Sequence, residues 1–138
     1  MTVSVKQPLK LKKKASTSAQ SKRKLGQYGE YRAAQFLLSL GFYILDRNVA
    51  IGGGELDLVA WDQPHQELVF IEVKTRRQSY SGDPSFAVNH RKLRAVIRAA
   101  KAYASRHFLN QVPCRIDLIT IVLGRVQHYP NISWGVLK

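Results

Sequence analysis

The sequence predicts an α/β fold, with a mixed central sheet flanked by helices. Three observations carry this. Apolar residues recur at helical spacing in two separated stretches, 27–40 and 89–108. Short apolar and β-branched runs of strand length fill most of the chain between 42 and 129. Read in order, the pattern is α-β-β-β-α-β-β, a succession that builds one sheet covered by helices. At 138 residues the chain has the size of a single domain.

The elements follow in turn. Gln27 to Leu40 reads as a helix, with Ala33, Phe36, Leu37 and Leu40 on one face and Gly41 as its stop. Phe42 to Asn48 reads as a strand, and Gly52-Gly53-Gly54 as a turn or a close backbone approach. Glu55 to Trp61 is a strand, Gln63-Pro64-His65 a turn, and Glu67 to Thr75 a β-branched and aromatic strand. Arg76 to Ser85, with Gly82 and Pro84, is a loop. Asn89 caps a helix running to about Phe108, whose apolar stripe is Leu93, Ile97, Ala100 and Ala104. Arg91, Arg94, Arg98 and Lys101 fall on its opposite face. Cys114 to Leu123 is a strongly apolar strand, with Val126 to Tyr129 pairing to it across Gly124.

Charge narrows the partners. The chain holds 22 Lys and Arg against 9 Asp and Glu, a net charge of +13. That balance implies a polyanionic partner: nucleic acid, ribosome or anionic membrane. The distribution is uneven. Residues 1–24 carry eight cations and no acid, with no aromatic residue and no apolar periodicity, so they read as a disordered basic arm before a single domain at 25–138. Residues 25–72 sum to −5 and residues 73–106 to +8. Simple adsorption to polyanions gains nothing from a cluster of acids, whereas holding a metal beside a phosphate backbone needs both signs. No apolar run approaches a membrane span and none follows the basic residues as in a signal peptide, so a cytoplasmic location is expected. One cysteine excludes an intrachain disulfide, and one Cys with four scattered His is too little for a zinc finger.

The chemistry-bearing residues lie on neighbouring strands. In Phe70-Ile71-Glu72-Val73-Lys74, alternation puts Glu72 and Lys74 on one face. In the preceding strand Glu55, Asp57 and Val59 share a face, and Leu56 and Leu58 the other. A hairpin between the two strands brings Asp57 to Glu72. Two adjacent carboxylates repel unless a cation lies between them. Mg²⁺, with Mn²⁺ as the alternative, is the cation that suits one or two carboxylates plus a substrate phosphate. Lys74 then stands beside the scissile phosphate or the attacking water. Glu30, in the first turn of the predicted helix, is placed to add an outer carboxylate. Each residue also has a plainer reading. Glu72 and Lys74 fit a solvated strand face, Asp57 a surface acid, Glu30 a helix-dipole partner and the basic helix an ordinary wet face. Asp117 reads as a structural charge paired with Arg115, His128 as a partly buried structural residue, and Tyr28, Phe42 and Tyr103 as core rather than base-stacking platforms. Gly52 to Gly54 lacks the Gly-Lys-Ser/Thr of a phosphate loop.

Taken together, Glu30, Gly54-Glu55-Leu56-Asp57-Leu58 and Phe70-Ile71-Glu72-Val73-Lys74-Thr75-Arg76 resemble the PD-(D/E)xK nuclease pattern. More closely, the chain resembles the uncharacterised YraN-like family, a branch of that superfamily similar to archaeal Holliday-junction resolvases. The resemblance covers about Gly26 to Ile121. It includes Gly29-Glu30, Arg47-Asn48, Gly82 with Pro84, Ala87-Val88, Lys92 and Arg115-Ile116-Asp117. It implies a restriction-endonuclease-like αβββαβ core and a Mg²⁺ site at Asp57 and Glu72 with Lys74, and Glu30 as the accessory carboxylate. Ala50, Ile51, Gly52 and Gly53 depart from the basic residues expected there in relatives.

The leading expectation is a Mg²⁺-dependent nuclease-like protein acting on DNA, branched DNA included. Asp57, Glu72 and Glu30 serve the metal and Lys74 the phosphate, while Arg76, Arg91, Lys92, Arg94, Arg98 and Lys101 grip the nucleic acid. The rivals are a nucleic-acid-binding protein on the same fold without turnover, and a basic adaptor for ribosome or membrane. The oligomeric state stays open, a homodimer among the alternatives.

Overall fold

Alternation along the strands gives one sheet two apolar faces, and a helix covers each. The computed structural model describes residues 17–77 and 89–132. In chain order the elements are α1 (Ser18–Ser39), β1 (Phe42–Ile51), β2 (Gly54–Asp62), β3 (Glu67–Arg76), α2 (His90–Arg106), β4 (Cys114–Val122) and β5 (Arg125–Tyr129). The sheet order is β1-β2-β3-β4-β5. β3 and β4 run parallel, joined through α2, and the other neighbours are antiparallel. This is the mixed α/β architecture that the sequence predicts, and its order matches a restriction-endonuclease-like αβββαβ core.

On one face Ala33, Ala34 and Leu37 of α1 pack against Leu58, Ala60, Val69, Ile71 and Ile119. On the other, Leu93, Val96, Ile97 and Ala100 of α2 pack against Leu56, Val59, Phe70 and Ile116. Each fully buried Leu, Ile or Phe contributes about 1.5–3 kcal/mol relative to exposure. The predicted α2 stripe of Leu93, Ile97, Ala100 and Ala104 is buried, and Asn89 caps the helix by accepting from the Lys92 amide at 2.8 Å. Gly54 belongs to the close approach expected of the glycine run: a Cβ there would lie 2.6 Å from the Ala95 carbonyl oxygen of α2. Gly52, with φ of +62°, completes the turn against the same helix. The departure at Ala50 to Gly53 is thereby filled by the β1–β2 turn beneath α2.

Three sequence expectations are corrected. First, α1 begins at Ser18 rather than at Gln27, so residues 18–24 of the supposed arm are helical. Thr17 and Gln20 close a capping box: the Gln20 amide donates to Thr17 Oγ1 at 3.2 Å, and the Thr17 amide to Gln20 Oε1 at 3.0 Å. Arm residues 1–16 and the loop containing Gly82 and Pro84 lie outside the described residues, as do Ala87 and Val88. Second, Leu56 and Leu58 do not share a face, since Leu56 packs under α2 and Leu58 under α1. The register puts Asn48 across from Asp57, between the pairs Arg47↔Leu58 and Val49↔Leu56. Asn48 has φ of 51°, a left-handed conformation that Asn tolerates and that breaks strand alternation there. Third, Phe42 and Tyr103 are core as expected, but Tyr28 is 46% exposed.

At the end of the sheet where β2 meets β3 in a turn, Arg115 gathers three acids. Its guanidinium lies 2.8 Å from Asp62 Oδ2, 2.9 Å from Glu67 Oε2 and 3.0 Å from Asp117 Oδ1. His128 Nε2 meets Asp117 Oδ2 at 2.7 Å, and the Asn131 amide donates to Asp117 Oδ1 at 2.9 Å. Asp62 and Asp117 are fully buried, so these contacts satisfy charges that water cannot reach. The structural readings of Asp117 and His128 agree with this geometry.

Candidate metal and phosphate site

The site lies at the other end of the β2–β3 ladder. That ladder runs from Asp62↔Glu67 to Leu58↔Ile71, and Asp57 and Glu72 come immediately after its last pair. Asp57 is half-buried and Glu72 is 3% exposed. The Val73 amide donates to Asp57 Oδ2 at 2.8 Å, fixing that carboxylate at the strand end. The Asp57 and Glu72 carboxyl groups are close enough for each to shift the other's protonation. Lys74 Nζ lies 3.3 Å from Glu72 Oε1, and Lys92 Nζ of α2 lies 3.8 Å from the same oxygen.

The electrostatics are those of a crowded carboxylate pair. Burial, then the Asp57 charge, pushes the Glu72 carboxyl up to about 7, and Lys92 and Lys74 offset only part of this. Burial also raises Asp57, against the Val73 amide and the two lysines. A buried pair of this kind binds protons readily and equally favours a divalent cation. Among the described residues, no three Asp, Glu, His or Cys side chains converge into a complete ligand set. The donors present are therefore two carboxylates, which fit Mg²⁺ with water and phosphate completing its shell.

Glu30 is brought to the same neighbourhood. Burial raises its carboxyl, a hydrogen bond from Asn48 lowers it, and the Asp57 charge raises it. Glu30 sits one residue after Gly29, where any Cβ would overlap Thr75 Oγ1 of β3. Glycine at 29 thus lets α1 press against β3 and deliver Glu30. A cleft of about 790 Å³ opens here, lined by Ser18, Ser21, Lys22, Leu25, Gly26, Glu30, Asp57, Val73, Lys74, Thr75, Arg76 and Arg77. Glu72 is not among its lining residues and reaches the site beside Lys92.

Of the predicted site residues, Asp57, Glu72 and Lys74 are brought together, Glu30 lines the same cleft without completing a three-carboxylate set, and Arg76 is on the cleft wall. Lys92, expected only among the nucleic-acid contacts, stands at Glu72. Arg91, Arg94, Arg98 and Lys101 are all exposed on α2, away from its buried stripe. Sequence reasoning missed Lys22 as a cleft residue and Asn48 as the partner of Glu30. The Thr17-Ser18-Ala19-Gln20 capping signature was the available signal for the first, and the Arg47-Asn48 pair for the second.

The fold and site define an α/β protein with a restriction-endonuclease-like core and a carboxylate–lysine cluster at the ends of β2 and β3. The model of Uncharacterised protein family UPF0102 matches residues 29–121, and the chain belongs to that family. It is 42% identical over 122 residues to a UPF0102 protein of Pelobacter propionicus, spanning 85% of this chain and 87% of the relative. A UPF0102 protein of Carboxydothermus hydrogenoformans is 40% identical over 116 residues, covering 81% and 97%. One from Marinobacter nauticus is 42% identical over 112 residues, covering 81% and 89%. No helix among the described residues is long and apolar enough to cross a membrane.

Proposed function

We propose that this protein is a Mg²⁺-dependent nuclease that hydrolyses phosphodiester bonds in DNA. The observation that carries the reading is the pairing of Asp57 with Glu72, with Lys74 Nζ 3.3 Å from Glu72, at a cleft whose other cations are Lys22, Arg76 and Arg77. Asp57 and Glu72 would hold the metal, with Glu30 as an outer carboxylate. Mg²⁺ bound there supplies a Lewis acid for the phosphate and a more acidic water. Lys74 offers its ammonium to the charge that develops on the phosphate oxygens. Lys22, Arg76 and Arg77 hold neighbouring phosphates in register. The exposed row Arg91, Arg94, Arg98 and Lys101 adds sequence-independent contact, since phosphate contacts position a nucleic acid without reading it. In the reaction water attacks phosphorus, one P–O ester bond breaks, and the leaving oxygen takes a proton.

A second reading is a nucleic-acid-binding protein without turnover. It is favoured by Lys74 and Lys92, which already place two cations within 4 Å of Glu72. Incubation of purified protein with Mg²⁺ or Mn²⁺ on linear, single-stranded, flap and four-way DNA separates the two. Metal-dependent cleavage lost in Asp57→Asn supports the nuclease. Tight binding with no cleavage supports the second reading. Stronger binding to anionic vesicles than to DNA would point instead to a basic adaptor.

A further inference from the structure

An aromatic–guanidinium pair sits on the flank of α1 next to the cleft. Tyr28 is 46% exposed. The Arg32 guanidinium carbon lies 5.7 Å from the Tyr28 ring centroid, and Arg32 Nη1 donates to Tyr28 Oη at 2.6 Å. Arg32 Nη2 donates to the Gly124 carbonyl at 2.9 Å, in the turn between β4 and β5. The preceding residue, Leu123, is 71% exposed, and its amide donates to the Arg76 carbonyl at 3.4 Å. Arg76 lines the cleft, as does Ser21, two helical turns before Tyr28. Hydrogen bonds therefore tie the exposed ring and the guanidinium to the β4–β5 turn, whose Leu123 amide in turn meets the backbone of cleft residue Arg76.

The chemistry of this rim differs from that of the cleft. Lys22, Lys74 and Arg77 offer charge, which any phosphate backbone satisfies. Tyr28 and Arg32 offer flat π surface, and the Arg32 guanidinium is held through both terminal nitrogens, so little freedom is left to lose when a base stacks on it. Bases within a duplex are already stacked on their neighbours and have no face to give. Unpaired bases do, and a charged groove flanked by aromatic surface is how single strands are held without sequence preference.

We propose that Tyr28, Arg32 and Leu123 form a stacking platform for unpaired bases, so the preferred substrate is DNA with a single-stranded segment entering the cleft. This rests on the phosphate site proposed above, and its test is a binding measurement independent of cleavage. Full-length protein in EDTA is titrated by anisotropy against a blunt duplex and against the same duplex with a single-stranded tail of roughly ten nucleotides. The tail carries 2-aminopurine, whose emission falls on stacking. The tailed duplex is expected to bind more tightly and its emission to be quenched. Tyr28→Ala is expected to weaken tailed binding about fivefold to a hundredfold, more than blunt binding, and to relieve the quenching. Tyr28→Phe keeps the ring but removes the hydroxyl that accepts from Arg32, so it is expected to keep the quenching and most of the tail preference, and it guards against a folding artefact. A tail that adds no affinity, equal losses on both substrates, or unchanged emission in Tyr28→Ala would overturn the platform. Tail preference without any Mg²⁺-dependent cleavage would keep the platform and remove the hydrolytic reading. Cleavage of blunt duplex indifferent to Tyr28 would do the reverse.

Discussion

Lys92 Nζ on α2 lies 3.8 Å from Glu72 Oε1 on β3, so the helix on one face of the sheet reaches the carboxylate pair at the ends of β2 and β3. Lys92 lies in the first turn of α2, and the Asn89 cap sets where that helix starts. Lys92 lowers the Glu72 carboxyl that burial and Asp57 raise. Replacing Lys92 with Met is expected to push Glu72 further up. A Mg²⁺ titration repeated across pH reads this as a midpoint displaced to higher pH.

The raised Glu72 carboxyl also contributes to the pH dependence of folding. Its folded value of about 7 exceeds the ordinary 4.5, so the protonated form stabilises the metal-free fold. That stability is fully present below about pH 4.5 and is lost as pH rises through 7. The melting temperature without metal is expected to fall between pH 6 and pH 8 on this account. Glu72→Gln, which keeps the shape and loses the charge, is expected to flatten that decline and to melt higher at pH 8. An unchanged slope in Glu72→Gln would mean that the carboxylate is better solvated than its 3% exposure indicates.

Lys74→Ala leaves both carboxylates in place and removes the ammonium 3.3 Å from Glu72. Cleavage rate is expected to fall by about 10²–10³, the usual effect of losing one preorganised electrostatic contact, with Mg²⁺ binding retained. Single-turnover kinetics at saturating Mg²⁺ read this directly. A loss of less than threefold, on the order of experimental scatter against that range, would remove Lys74 from the chemistry.

The exposed row on α2 is expected to act through charge alone. Converting Arg91, Arg94, Arg98 and Lys101 to Gln leaves Leu93, Val96, Ile97 and Ala100 packed. Affinity for DNA is expected to fall for all sequences alike, and the slope of log affinity against log salt to become shallower, since fewer counterions are released. Full-strength binding at moderate salt would make this face a solvated one.

Arg115→Ala tests the other end of the sheet. It strands fully buried Asp62 and Asp117 without their cation. A loss of about 3–5 kcal/mol in denaturant unfolding is expected, with the carboxylate–lysine site unaffected where the protein still folds.

Much of this was legible because it rests on period and spacing. The α2 stripe, the Asn89 cap and the β3 run from Glu67 follow directly from side-chain alternation and capping chemistry. So does the meeting of Asp57 with Glu72, which needs only an antiparallel register. What was hidden depends on backbone departures and on distant contacts. Leu56 and Leu58 pack on opposite faces where β2 runs across from left-handed Asn48, and no local pattern announces it. Lys22, Arg23 and Lys24 made the start of α1 look unfoldable, although the capping box at Thr17 and Gln20 marks it. Tyr28 reads as core in the sequence, whereas its place on the helix flank and its tie to Arg32 leave it 46% exposed.

The central claim is that Asp57 and Glu72 together bind Mg²⁺. Calorimetric titration of Mg²⁺ into the wild-type protein and into Asp57→Asn at pH 8, above the Glu72 value of about 7, measures it. The expected result is a saturable isotherm for the wild type and none for Asp57→Asn, with the variant melting at the same temperature or higher. Equal Mg²⁺ binding by both proteins would contradict the site.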